Sequence, residues 1–278
     1  MMPTRPHTVH VDSDRKIYGT HSNFSYKIIL PTGEYNRVAV SSISIPKTLF
    51  YISSASFDLT EDGSTVTISL VDGNYTFNAL RTVMATLLTT GSPNGYTYTC
   101  SIPDENREPS TGKYTFNVSG NGAIQPTLTI PSDSRLYKAL GFPADTAVSF
   151  AGDTLVSTYV CLLTISEIFL RTDLVRTAVN HEYSDNIASI NITNISDFSS
   201  IAFQGSDLAL TSKPMADRLP TGGGIYQFVL TDNDERILDL KTNSGINIDL
   251  VFFKYDDTPD LIARYVKYRV SKDSDLEE

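Results

Sequence analysis

Few side chains in this sequence have both the type and the spacing that chemistry requires. The four histidines are His7, His10, His21 and His181. His7 and His10 stand three apart, but no cysteine or carboxylate grouping with zinc spacing accompanies them. His181 and Glu182 lack the second histidine of a His-Glu-x-x-His helix, so metalloprotease chemistry is excluded. Asp232, Asp234 and Glu235 crowd one turn and carry the oxygen ligands that calcium takes. An EF-type loop needs ligands at fixed offsets and a distal glutamate, which are missing, so they read as turn residues. Gly222-Gly223-Gly224 precedes a strand and opens no helix that could hold a phosphate. Gly112-Lys113 runs into Tyr114 without the upstream glycine of a phosphate-binding loop, and no Gly-x-Ser-x-Gly elbow occurs. A glycosidase pair needs only to meet in space, and the sequence singles out no pair. Cys100 and Cys161 lie far apart in segments that read as strands; the pair could form one disulfide, but nothing suggests a disulfide scaffold, and they read as free, buried thiols. The expectation is a chain with no catalytic, cofactor-binding or metal residues and no cofactor.

The elements around these residues are those of a β protein. Of 278 residues, 40% are hydrophobic and 19% charged, which excludes wholesale disorder and supplies a core. Tyrosine and phenylalanine (15 and 13) with abundant Thr, Ser, Val and Ile fit pleated, half-buried surfaces, and tryptophan is absent. The net charge of −10 argues against coating a genome or an anionic membrane, since both need cations against phosphates. The opening MMPTRPHTVHVDSDRK has no apolar h-region, so synthesis without a secretion signal is expected. No run of about 18 apolar residues is present, so no membrane-spanning helix is expected. Five Asn-x-Ser/Thr sequons, at Asn23, Asn74, Asn117, Asn191 and Asn194, then read as chance matches in an Asn- and Thr-rich chain.

Along the chain, residues 1–22 are polar, carry Pro3 and Pro6, and read as an N-terminal arm. FSYKIILP is a strand, followed by a turn at Thr32-Gly33. In YNRVAVSSISIP, Val38 and Val40, then Ile43 and Ile45, alternate across a slip at Ser41-Ser42, the pattern of a strand with a bulge. FDLTEDGSTVTISLVDG reads as a hairpin turning at Asp62-Gly63. FNALRTVMATLLTTG is a helix: Leu80, Val83, Met84, Leu87 and Leu88 share a face, Thr76 caps it and Gly91 stops it. YTYTCSI, KYTFNVS and PTLTIP are short strands, and SRLYKALGF is a second short helix stopping at Gly141. STYVCLLTISEIFLRTDLV is a long apolar run in which a helix is possible, but its Thr, Val, Ile and Phe favour strands. INITNIS, SSIAFQG, LALTS, GIYQFVLTD, ILDLKT and INIDLVFFKY complete the strand set, with turns at Asp232-Asn233 and Asn243-Ser244-Gly245. Short strands at near-regular spacing indicate a sandwich, jelly roll or barrel. A terminal helix capped by Thr258 with Pro259 in its first turn is expected, carrying the only concentrated basic stretch (Arg264, Lys267, Arg269, Lys272) before an acidic tail. That stretch reads as a solvated arm or as one docking on an acidic neighbouring subunit.

Three stretches resemble penton-type minor capsid proteins of virophages, Polinton-like viruses and related double-stranded DNA viruses. The first is HVDSDRKIYGTHSNFSYKIILPTGEYNRVAVSSISIPKTLFYI, from His10 to Ile52. The second is Gly73-Asn74-Tyr75-Thr76 leading into the helix with Leu80, Met84 and Leu87, followed later by Leu140-Gly141-Phe142. The third is the closing YQFVLTDNDERILDLKTNSGINIDLVFF. The resemblance implies a mainly β fold, a single jelly-roll β-sandwich with an inserted α+β subdomain, and no enzyme activity. The expected organisation is an N-terminal arm (1–22), a jelly roll (23–56 and 148–257), an inserted outer subdomain (57–147) and a C-terminal arm (258–278). The implied role is a virion protein, a homopentameric penton at icosahedral five-fold vertices. Its partners would be its own copies and major capsid protein capsomers, with no direct nucleic-acid role. Ring closure needs heterologous interfaces, for which Tyr and Phe are good anchors. Two other classes compete. One is a jelly-roll receptor- or glycan-binding spike or fibre head, which would trimerise. The other is a β-sandwich carbohydrate-active enzyme, disfavoured by the missing tryptophan platform.

Overall fold

The structure is a computed structural model that describes residues 4–31, 35–103, 109–175, 177–179, 182–216 and 223–254. The chain first forms β1 (Thr4–Asp12), β2 (Tyr18–Gly19), β3 (Asn23–Ile28) and β4 (Arg37–Pro46). A middle stretch follows with β5 (Ser56–Glu61), β6 (Ser64–Ser69), α1 (Phe77–Gly91), β7 (Thr97–Ser101), β8 (Thr115–Ser119), β9 (Thr127–Thr129), α2 (Leu136–Leu140), β10 (Val148–Ser149) and β11 (Thr154–Val156). The last stretch holds β12 (Glu167–Thr172), β13 (Thr177–Val179), β14 (Glu182–Ser184), β15 (Asn186–Asn191), β16 (Ser200–Gln204), α3 (Leu208–Thr211), β17 (Lys213–Pro214), β18 (Gly224–Thr231) and β19 (Asn247–Lys254). Contacts divide the chain into a unit of Met1–Thr48 with Glu167–Glu278 and a unit of Leu49–Ser166.

The first unit is a jelly roll. One sheet runs β1-β19-β4-β16, with β17 added on β4, and the other runs β15-β12-β18-β3-β2. Taking the eight main strands in chain order, the sheets read 1-8-3-6 and 5-4-7-2, the wound order of two Greek keys. All these pairings are antiparallel.

One residue sets the register of the first sheet. Ser42 pairs with Asp249 and Val40 with Leu250, so Ser41 is an extra residue with no partner on β19. Side chains alternate along a strand, and an insertion of one resets the parity. Val38 and Val40 before the bulge and Ile43 and Ile45 after it therefore all turn inward and are buried. The facing sheet contributes Phe24, Ile28, Ile168, Leu170, Phe228 and Leu230, and Phe24 stacks on its cross-strand partner Phe228 at 5.5 Å. Burying each such side chain contributes about 1.5–3 kcal/mol.

The second unit pairs β10-β9-β5-β6 in one sheet and β11-β8-β7 in another. The β5–β6 turn has Asp62 at φ 45° and Gly63 at φ 82°, positive at both positions as a type I′ turn requires. Helix α1 begins at Thr76, whose Oγ1 accepts from the Ala79 N–H at 3.2 Å. It buries Leu80, Met84 and Leu88 among Phe57, Leu59, Tyr98, Tyr114 and Phe116, while Val83 and Leu87 are half-buried. Helix α2 stops at Gly141, which takes a left-handed φ of 68°.

Several expectations are corrected. Residues 4–12 are not an arm: β1 pairs with β19 along its length, because His7, Val9 and Val11 alternate towards the sandwich interior opposite Phe252, Leu250 and Ile248. Pro6 is tolerated because β1 lies at a sheet edge. The unit containing the expected insert (57–147) is wider, Leu49–Ser166, and the jelly-roll unit correspondingly resumes at Glu167 instead of 148. Only Glu167–Thr172 of the run from Ser157 to Val175 is a full strand; residues 157–166 make no ladder. LALT is a helical turn, not a strand, held by the Thr211 N–H on the Asp207 carbonyl at 3.1 Å. ILDLKT forms no strand and contributes one bridge, Ile237 to Thr231. The Thr32-Gly33 turn and the arm over 258–278, with Thr258, Pro259 and the basic cluster, lie outside the described residues.

Candidate assembly surfaces

The residues with chemical potential are scattered and engaged in the fold. His10, on β1, meets Asp249 Oδ1 at 2.8 Å, and Ser42 Oγ donates to Asp249 Oδ2 at 2.6 Å. The carboxylate sits between serine and histidine, so no imidazole faces the hydroxyl and the set is no nucleophilic triad. These two hydrogen bonds, Ser42 first and His10 second, hold the Asp249 carboxyl below the usual carboxylate range. His7 lies 6.3 Å from the Tyr35 ring, and His21 Nδ1 bonds Ser13 Oγ at 2.9 Å. His181 lies outside the described residues.

The acidic turn is resolved by its bonds. Asp232 is buried and its Oδ1 accepts from the N–H groups of Asp234 at 2.8 Å and Arg236 at 2.9 Å, shaping the turn. Glu235 takes the Arg171 guanidinium at 2.8 Å. Among the described residues, no group of three or more His, Cys, Asp or Glu is arranged to hold a metal ion. Gly112 lies in a bend, and Gly223 and Gly224 lead directly into β18; Gly222 is outside the described residues. Both cysteines are free thiols. Cys100 is half-buried on β7 and desolvation pushes its thiol up to about 12. Cys161 is exposed in the ladder-free stretch, contrary to the expected burial.

What the jelly-roll unit does present is two unlike edges. At the β2/β3 edge, Ile17, Tyr18, Ile29 and Ile225 are 49%, 62%, 58% and 52% exposed. Tyr18 pairs with Ser25 and Ile225 with Lys27, so these side chains share the outer face of the sheet. Ile29 continues that face beside Gly223. At the opposite edge, a cleft of about 490 Å³ lies between β15 and β16. Its apolar lining is Val40, Ile187, Ala188 and Phe203, and its polar groups include Ser189, Gln204 and Lys213. Sequence reasoning singled out neither. One signal was available: in GIYQFVLT, Tyr226, Phe228 and Leu230 keep the inward phase, Ile225 and Val229 are the apolar residues out of phase with them, and of these two Ile225 is the exposed one.

No family model matches the chain, and no curated protein matches it. Among solved structures, the penton protein of mavirus is similar over 91% of this chain and 100% of its own, at 13% identity and a TM-score of 0.44. The flagellar cap protein FliD of Escherichia coli is similar over 82% of this chain in two structures, at a TM-score of 0.23 in each. Its D2-D3 domains match over 99% of their length at 12% identity, and its D1-D2-D3 domains over 56% at 11%. Among the described residues, no helix is long and apolar enough to cross a membrane.

Proposed function

We propose that this chain is a structural capsid protein that forms the homopentameric penton at icosahedral five-fold vertices. The observation that carries the reading is the eight-strand jelly-roll winding with a separate unit, Leu49–Ser166, spliced between the third and fourth main strands. Jelly rolls recur in viral capsid and lectin domains, and here the sandwich interior is filled by Phe24, Phe228, Ile248 and Phe252. Function then falls to the surfaces. The three penton-like stretches of sequence point the same way. The partners are copies of this chain and major capsid protein capsomers, the location is the virion, and no catalytic step is involved. A net charge of −10 suits contact with protein more than with a genome. Imaging of the purified protein tests the reading: rings with five-fold symmetry are expected, and three-fold particles would favour a spike or fibre head instead.

A further inference from the structure

We infer that the ring is closed by the two unlike edges of the jelly roll, with Tyr18 and Ile225 of one copy seated in the β15/β16 cleft of the next. The inference rests on the pentamer reading and names the surface that makes it. A cyclic assembly beyond a dimer needs a heterologous contact, in which one patch meets a different patch on the neighbour. The patch and the cleft lie at opposite ends of the same sheets: β2 and β3 end one sheet and β15 the other end of it, while β16 ends the facing sheet on the cleft side. Copies joined through them therefore run head to tail.

Size and chemistry fit a second copy. Four side chains about half exposed or more leave on the order of 400 Å² of largely apolar surface, in the range of a functional patch. That is about half of the roughly 800 Å² per partner of a standard interface, the remainder falling to the polar residues around it. The cleft of about 490 Å³ has room for a tyrosine ring and an aliphatic neighbour against Val40, Ala188 and Phe203. Tyr18 is the anchor type that interfaces favour, a rigid ring with a polar tip. The exposed ammonium of Lys27, beside Ile225, would meet acceptors of Ser189 and Gln204 on the cleft rim.

Two variants and their mixture test this, with masses read by sedimentation. Tyr18→Asp spoils the patch and leaves the cleft; Lys213→Trp, at a half-buried position of the cleft lining beside Val38, fills the cleft and leaves the patch. Val71→Ser removes an apolar side chain that is 80% exposed in the other unit and serves as the control. Thermal melts confirm that each variant is folded. The expected result is that the control assembles like the parent chain, each edge variant alone falls to the single-chain mass, and their equimolar mixture gives a dimer and nothing larger. If both edge variants assemble like the parent, the inference is wrong while the pentamer reading stands. If the mixture stays monomeric, the patch-to-cleft pairing is likewise wrong. A parent chain that is monomeric at every concentration overturns the reading and the inference together.

Discussion

The Tyr98 hydroxyl donates to Glu61 Oε1 at 2.7 Å in the interior of the second unit. Glu61 is fully buried at the end of β5, and it also accepts from Ser92 Oγ at 2.8 and 2.9 Å and from the Asn94 N–H at 3.0 Å. The hairpin tip is thereby bound to the chain leaving α1. Burial first, then the bond to Glu61, raises the Tyr98 hydroxyl pKa above its usual value.

A buried carboxylate stripped from its donors leaves three of them unpaired. Glu61→Ala is expected to destabilise the unit by about 3–5 kcal/mol, and Tyr98→Phe by about 1–2 kcal/mol. Hydrogen exchange across β5 and α1 in the full chain checks this. Unchanged protection in Glu61→Ala would contradict it.

Gly141 and Gly120 both have positive φ, 68° and 84°, but only Gly141 is crowded. A Cβ there would fall inside van der Waals contact of the Tyr159 carbonyl oxygen, whereas at Gly120 nothing lies within 4 Å. Gly120→Ala should cost about 1 kcal/mol, from backbone strain alone, and Gly141→Ala clearly more. Denaturant midpoints of the two variants test the ordering.

The Asp249 carboxyl binds its proton more weakly in the folded chain than in the unfolded one. The unfolded state therefore takes up more protons near pH 4, and the stabilisation from this group is full above that range. It is lost as pH falls through the depressed folded value. Asp249→Asn should flatten the acid limb of a stability–pH profile and leave the slope near neutrality unchanged.

Thiol reactivity should split the two cysteines. Exposed Cys161 is expected to react with a thiol reagent at pH 8 at once, while Cys100, pushed up to about 12, reacts only on unfolding. One fast equivalent in the native chain and two in denaturant is the expected count.

The parts of the fold legible in sequence were those with a local cause. The slip at Ser41-Ser42 appears as the bulge at Ser41, Asp62-Gly63 as a type I′ turn, and Thr76 and Gly141 as the cap and stop of their helices. What escaped depends on distant partners. β1 reads as a polar arm because its apolar phase rests on Val9 and Val11 alone, and only β19 makes it a strand. Residues 157–166 have the composition of a strand but meet their neighbours at isolated points, Ser157 on Tyr114, Val160 on Gly112 and Cys161 on Ala139, so no ladder forms; LALT makes a helical turn where propensity alone is indifferent. The patch around Tyr18 joins residues far apart in the chain through β-sheet register, which no short window of sequence contains.

Whether the chain forms a pentamer is decided by the mass of the purified protein in solution, measured by light scattering over a range of concentrations. A homopentameric penton has the mass of five chains, five times the 30.6 kDa of one. A single-chain mass at every concentration, or a mass of three chains, would contradict it.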